Sequence, residues 1–207
     1  MREENKQEHP GNGEDAVPGG GEAARGATRR QVLRSAAAAA PVLMSVTGRP
    51  ALAAAQCTVS GMLSGNLSGP HRTCEGCSPG YWKQEQHFHN WQAPYRPKAE
   101  HGQPASRWTE YFPALPGMGG SGGLPSDLTL LDALRLHGNT QAEALARQAV
   151  AALLNGAYQR ATGGMNFGYT DGDVIDLYRQ LLDDPQVSLE DMADLFEMLN
   201  ERHCPLG

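Results

Sequence analysis

From Ser126 to the C-terminus apolar residues recur at intervals of three and four, the spacing that lines one face of an α-helix. Leu130, Leu131 and Leu134 predict a short first helix, started by Ser126 or Asp127 and ended at Gly138. Thr140-Gln141-Ala142-Glu143 has the form of a capping box, in which the Thr hydroxyl and the Glu carboxylate each satisfy a backbone N–H that the first turn would orphan. The run behind it places Leu145, Ala149, Val150, Leu153 and Leu154 on one face and is expected to stop near Gly156. Thr170-Asp171-Gly172-Asp173 before Val174, Leu177, Tyr178 and Leu181 predicts a third helix ending ahead of Pro185. Ser188-Leu189-Glu190-Asp191 before Met192, Leu195, Phe196 and Leu199 predicts a fourth. Aspartate in these boxes is a weaker partner than glutamate, but an acid in a first turn also favours the helix dipole. Four capped amphipathic helices with short links predict a mainly α fold, a small helical bundle over residues 126–203.

Upstream the helical period is lost. Pro113 to Pro125 is a Pro/Gly-rich loop, and residues 77–112 are irregular but dense in aromatic side chains. Within them Ser78 as N-cap and Pro79 at the first helical position predict a helix start that projects Tyr81 and Trp82. Residues 56–76, rich in Gly, Ser and Thr, are expected to form a tethered extended segment.

The first 55 residues carry a different pattern. Residues 1–28 have Val17 as their one strongly apolar residue after Met1, too little to offset chain entropy, and read as a disordered extension. Over residues 29–55, Arg29 and Arg30 with Val32, Leu33 and Arg34 precede an Ala-rich run and small residues at A-x-A spacing. That order is a twin-arginine signal peptide, an address read by the translocase and removed by signal peptidase, with cleavage after Ala53 or Ala55. Its apolar run of about a dozen residues, at ~1.5 Å each, falls well short of a bilayer's ~30 Å core. Cys57 suggests a lipoprotein, but Gln56 stands where a lipobox takes a small residue. The mature product is therefore expected in the periplasm, at the cell surface or outside the cell.

Charge narrows the partners. From Gln56 onward ten Lys and Arg stand against seventeen Asp and Glu, a net of about −7. Without a positive stripe neither nucleic acid nor an anionic membrane surface is an expected partner. The four cysteines, Cys57, Cys74, Cys77 and Cys204, all lie in the mature part, and an even number in an exported chain favours two disulfides with three possible connectivities. Economy prefers Cys77 with Cys204, which staples the end of the fold to its beginning, and Cys57 with Cys74, which ties down the Gly/Ser-rich strip.

The most specific string is Cys77-Ser78-Pro79-Gly80-Tyr81-Trp82-Lys83. With His87-Phe88-His89-Asn90-Trp91, Thr129 to Leu134, Ala144 to Asn155, Tyr169-Thr170 with Val174-Ile175, and Asn200 through Cys204-Pro205-Leu206, it resembles a family of secreted and surface proteins of bacteria. Its modules open C-[ST]-P-G-[YF]-W-K and close N-x-x-x-C-P-L. The resemblance covers nearly the whole mature chain. It implies that Cys77 and Cys204 bound one module, residues 77–207, and implies no activity.

Candidate chemistry lies between Tyr81 and Phe112. That stretch holds Tyr81, Trp82, Phe88, Trp91, Tyr95, Trp108, Tyr111 and Phe112, eight of the thirteen aromatics and all three Trp. Exposed, the rings would form a stacking platform for a surface polysaccharide or a partner protein, with His87, His89, Asn90 or His101 supplying polar contacts. Buried, they would fill the gap between the irregular half and the helices, since Tyr and Trp pair large areas with a polar handle. Two function classes follow. The leading one is a non-enzymatic envelope or secreted module without cofactor, whose candidate binding residues are Tyr81, Trp82, His87, His89, Trp91 and Trp108. The alternative is a metal-binding or thiol-redox protein using Cys74, Cys77, Cys204 and nearby histidines, since Cys74-Glu75-Gly76-Cys77 is a C-x-x-C. Asp171, Asp173 and Asp176 lack the EF-hand spacing and read as helix caps and solvated faces. No G-x-S-x-G elbow or phosphate loop is present.

Overall fold

One helix is buried on every side through its middle turns, and the rest of the chain is arranged to cover it. In the computed structural model, which describes residues 57–63, 73–116, 118–120 and 124–207, this is Gln141–Thr162, where every residue from Gln148 to Ala157 is buried. A helix covered on every side lies in the core, and here Ala146, Ala149, Ala151, Ala152 and Ala157 let its neighbours approach closely. In chain order the helices are α1 Val59–Leu63, α2 Pro79–Trp82, α3 Leu130–Arg135, α4 Gln141–Thr162, α5 Asp171–Asp183 and α6 Leu189–Asn200. Six-residue and three-residue 3-10 turns lie at Glu85–Asn90 and Trp108–Glu110. The fold is mainly α, and α2, α3, α5 and α6 all pack on α4. The leader, with Arg29 and Arg30, lies outside the described residues.

The direction of each helix follows from pairs of residues. The start of α5 lies on the last third of α4, where Arg160 meets Asp171, so the short link 163–170 turns the chain back antiparallel. Gln141 meets Glu190, Gln148 meets Glu197, and Asn155 meets Asn200, so α6 runs parallel to α4. The buried stripes are Val174, Leu177, Tyr178 and Leu181 on α5, and Met192, Leu195, Phe196 and Leu199 on α6. Both helices start with complete capping boxes, Thr170 with Asp173 and Ser188 with Asp191. Each satisfies two first-turn donors.

Several boundaries differ from the sequence reading. Helix α3 is capped by Thr129, whose hydroxyl accepts the Asp132 N–H at 3.0 Å, and not by Ser126 or Asp127. Arg107 and Thr129 form an antiparallel bridge, and Trp108 N–H reaches Leu128 O while Leu130 N–H reaches Ser106 O. That pairing holds residues 128–129 extended, so the helix can begin only after it. It ends at Arg135, before Gly138. At Thr140 the box is shifted, because the Glu143 carboxylate accepts the N–H of Asn139, one residue ahead of the cap.

Helix α4 does not stop at Gly156. It continues to Thr162 and is closed by Gly163 in the left-handed region at φ 63°. Gly156 is a contact residue: a Cβ there would stand 2.6 Å from the backbone nitrogen of Asp171 and the carbonyl carbon of Thr170. The glycine thus lets the N-terminus of α5 lie directly on α4.

The start of residues 56–76 is not simply an extended tether. Cys57 and Val59 are buried, Val59 heads a one-turn helix, and its N–H donates to the Tyr169 hydroxyl at 2.8 Å. Further on, Glu75 pairs in parallel with His203, and Gly76 N–H reaches His203 O. Among the described residues the core thus already includes Cys57, twenty residues before the module boundary at 77 that the motif implies.

Candidate functional site

The disulfides are Cys57–Cys74 and Cys77–Cys204, at sequence separations of 17 and 127. This is the pairing that economy preferred, and such bonds belong to an oxidising compartment. All four sulfurs are in these bonds, so none offers a thiolate to a metal while they are intact. Among the described residues no group of three or more His, Cys, Asp or Glu side chains is placed to hold a metal ion, and no helix is long and apolar enough to cross a membrane.

The aromatic platform is overturned by burial. Trp82 and Trp108 are fully buried, and Tyr81, Trp91, Tyr95 and Phe112 are nearly so. Their polar handles are spent inside the fold. Trp82 Nε1 donates to Asn155 Oδ1 at 3.0 Å, Trp91 Nε1 to the Trp82 carbonyl at 3.2 Å, and Trp108 Nε1 to the Pro113 carbonyl at 3.0 Å. The physical cause is supply. The helices give the irregular half only narrow Leu stripes, and large rings close the remaining space. Trp108, Phe112 and Tyr178 form one such cluster, with centroids 4.5 to 5.7 Å apart.

The histidines do not converge. His87 stacks on Tyr81 at 3.9 Å, whose hydroxyl accepts from Asn90 Nδ2 at 2.7 Å. His89 and His101 are exposed. Half-buried Phe88 packs edge-on against Trp91, under the Lys98 ammonium at 5.4 Å. Asp171 and Asp173, weighed above as calcium ligands, are occupied by Arg160, Tyr95 and Thr170.

Buried polar clusters around Asn155 and around Asp171 hold the scaffold. Asn155 accepts from Cys77 N–H and Trp82 Nε1 and donates to the Cys77 carbonyl and Asn200 Oδ1. Asn200 in turn donates to the backbone carbonyl and side chain of Gln148. The amide capacity of Asn155 is thus fully used, as a buried network requires. In the second cluster Asp171, 7 % exposed, accepts from Tyr95 at 2.8 Å and Arg160 Nε at 2.6 Å. Burial pulls the Asp171 carboxyl up, but the bonds from Arg160 and Tyr95 outweigh it and hold its pKa below the ordinary value. Burial and the facing carboxylate push the Tyr95 phenol well up.

A polar groove lies at the C-terminal end of α4. It has a volume of about 470 Å³ and is lined by Thr73, Glu75, Gly163, Gly164, Met165 and Asn166. That volume is within the range of small-ligand sites. Buried Met165 packs beneath it. Glu75 Oε2 accepts the Asn166 N–H at 2.7 Å, and Asn166 Nδ2 donates to the Thr73 carbonyl at 3.2 Å, which ties the two chain segments together. The Glu75 carboxylate and the negative end of a 22-residue helix make the lining of the groove electronegative. Sequence reasoning missed it because its two segments lie about ninety residues apart. The C-x-x-C that contains Glu75 is the only local signal.

Compared with protein-family models, curated proteins and solved structures, the chain matches none.

Proposed function

We propose that the chain is exported through the twin-arginine route and that its mature part works outside the cytoplasm as a non-enzymatic module of the envelope or secreted fraction. In this reading it belongs with the secreted and surface modules it resembles, and it holds a surface polymer rich in hydroxyl and ammonium groups in the groove of Thr73, Glu75 and Asn166. The supporting observation is the groove itself, whose carboxylate and helix C-terminus suit such donors, while the aromatic and amide groups of the core are committed to the scaffold. The two disulfides fit the compartment.

Two measurements test it. Replacing Arg29 and Arg30 by Lys should leave the precursor uncleaved in the cytoplasm of a twin-arginine-competent host, and unchanged export would refute the route. Retention of the oxidised protein on partly deacetylated chitosan should exceed that on acetylated chitin, and Glu75→Gln should weaken it about tenfold, the equivalent of one lost charged contact. Equal retention of both proteins on both polymers refutes the groove.

A further inference from the structure

The two disulfides have different surroundings, and the difference is chemical. In Cys57–Cys74, Cys57 is fully buried while Cys74 is partly exposed. An attacking thiol can therefore reach Cys74, and the sulfur that must leave is that of Cys57. The leaving sulfur is prepared. Asn166 Nδ2 donates a hydrogen bond to Cys57 Sγ at 3.3 Å, and the Arg202 guanidinium lies against the same residue, donating to the Cys57 carbonyl at 3.1 Å. A donor and a nearby cation favour thiolate over thiol, and a thiol of lower pKa leaves faster. In Cys77–Cys204 the buried partner is Cys77, and its hydrogen bonds with Asn155 go to its backbone N–H and carbonyl. Burial weighs on the two sulfurs alike, so the difference lies in the donor at Cys57 Sγ, whereas Asn155 holds the Cys77 peptide in place.

We propose that Cys57–Cys74 is a thiol–disulfide exchange site, entered at Cys74 by a dithiol such as a C-x-x-C protein, while Cys77–Cys204 is the permanent staple. The dithiol's thiolate attacks Cys74 Sγ, the bond to Cys57 breaks, and Cys57 departs with the electron pair as thiolate. The second thiol then attacks the mixed disulfide and releases Cys74. The dithiol is oxidised by two electrons, and its two protons end on Cys57 and Cys74. Because Cys74 stands between Thr73 and Glu75, and Asn166 holds the Cys57 sulfur, exchange also loosens one wall of the groove. The exchange itself does not depend on the groove holding a ligand.

The test uses the oxidised full chain, exposed to limiting dithiothreitol, quenched with N-ethylmaleimide at intervals and peptide-mapped. Cys57 and Cys74 should be alkylated about tenfold faster than Cys77 and Cys204. Equal rates, or earlier labelling of Cys77 and Cys204, overturn the proposal. Brief treatment with glutathione should leave the mixed disulfide on Cys74, and an adduct on Cys57 overturns the direction of attack. In Asn166→Asp, where a carboxylate faces the leaving sulfur, opening should slow severalfold, and an unchanged or faster rate overturns the leaving-group assignment. Polymer retention measured in parallel separates this result from the groove reading, since either can fail alone.

Discussion

Asp171 joins three parts of the molecule through one carboxylate. It stands in the first turn of α5 and accepts from Tyr95 in the irregular half and from Arg160 near the end of α4. A carboxylate whose folded pKa lies below its unfolded value adds stability above the unfolded pKa and loses it as pH falls through the folded one. Asp171→Asn should therefore cost about 1 to 2 kcal/mol near neutral pH, less than a fully buried pair because Arg160 is partly exposed. The difference should shrink between about pH 5 and pH 2. Thermal melts of both proteins across that range check it, and a constant difference would exclude the charge as the cause. Tyr178 poses the opposite case. Its hydroxyl is buried with no hydrogen-bond partner among the described residues, and burial raises its pKa. Tyr178→Phe keeps the ring packed against Trp108 and Phe112 and removes the orphan, so urea denaturation should show a gain of about 1 kcal/mol. Neither situation was visible in the sequence. Asp171 read as one acid of a cap, and nothing near Tyr178 shows which ring will lack a partner, because that depends on contacts seventy residues away.

Local chemistry decides an element where its terms are local, and tertiary contact decides where they are not. The boxes at Thr170 and Ser188 were legible because donor, acceptor and apolar stripe all fall within a dozen residues. The start of α3 was not, because it is set by pairing with residues 106–108. Gly156 shows the same limit. Glycine in a helical pattern reads as a stop, yet here it marks the close approach of a second helix. An alanine in mid-helix ordinarily gains about 1 kcal/mol over glycine. At this position the added methyl meets the backbone of Thr170 and Asp171, atoms that cannot rotate away. Gly156→Ala should therefore reverse the usual sign and destabilise by about 2 kcal/mol in urea denaturation. A gain would show that the α4–α5 contact is looser than described.

At the scale of the whole molecule, the fold class and the disulfide partners were legible, while the open surface was not. Aromatic density gave the amount of apolar area but not its destination, and burial of the rings in the core moved the candidate site from Trp82 and Trp108 to the groove. The disulfides differ in what they restrain. In the chain-entropy view, closing 127 residues is worth about 5 kcal/mol and closing 17 about 3. Replacing Cys77 and Cys204 together by Ala should thus lower the urea midpoint more than replacing Cys57 and Cys74. The reverse order would mean that the short loop carries the tertiary restraint.

The parallel pairing of Glu75 with His203, and the Arg202 contact with Cys57, bring the first and last described strips of the chain to one end. The opposite end carries the link 184–188 and the first turns of α4 and α6, where Gln141 meets Glu190. A reporter fused after Gly207 would follow Leu206, whose carbonyl accepts from the Tyr81 hydroxyl, and so would sit at the end stapled by Cys77–Cys204. An epitope inserted at Asp184 to Gln186 would instead project from the far side, leaving the groove and both sulfur bridges undisturbed.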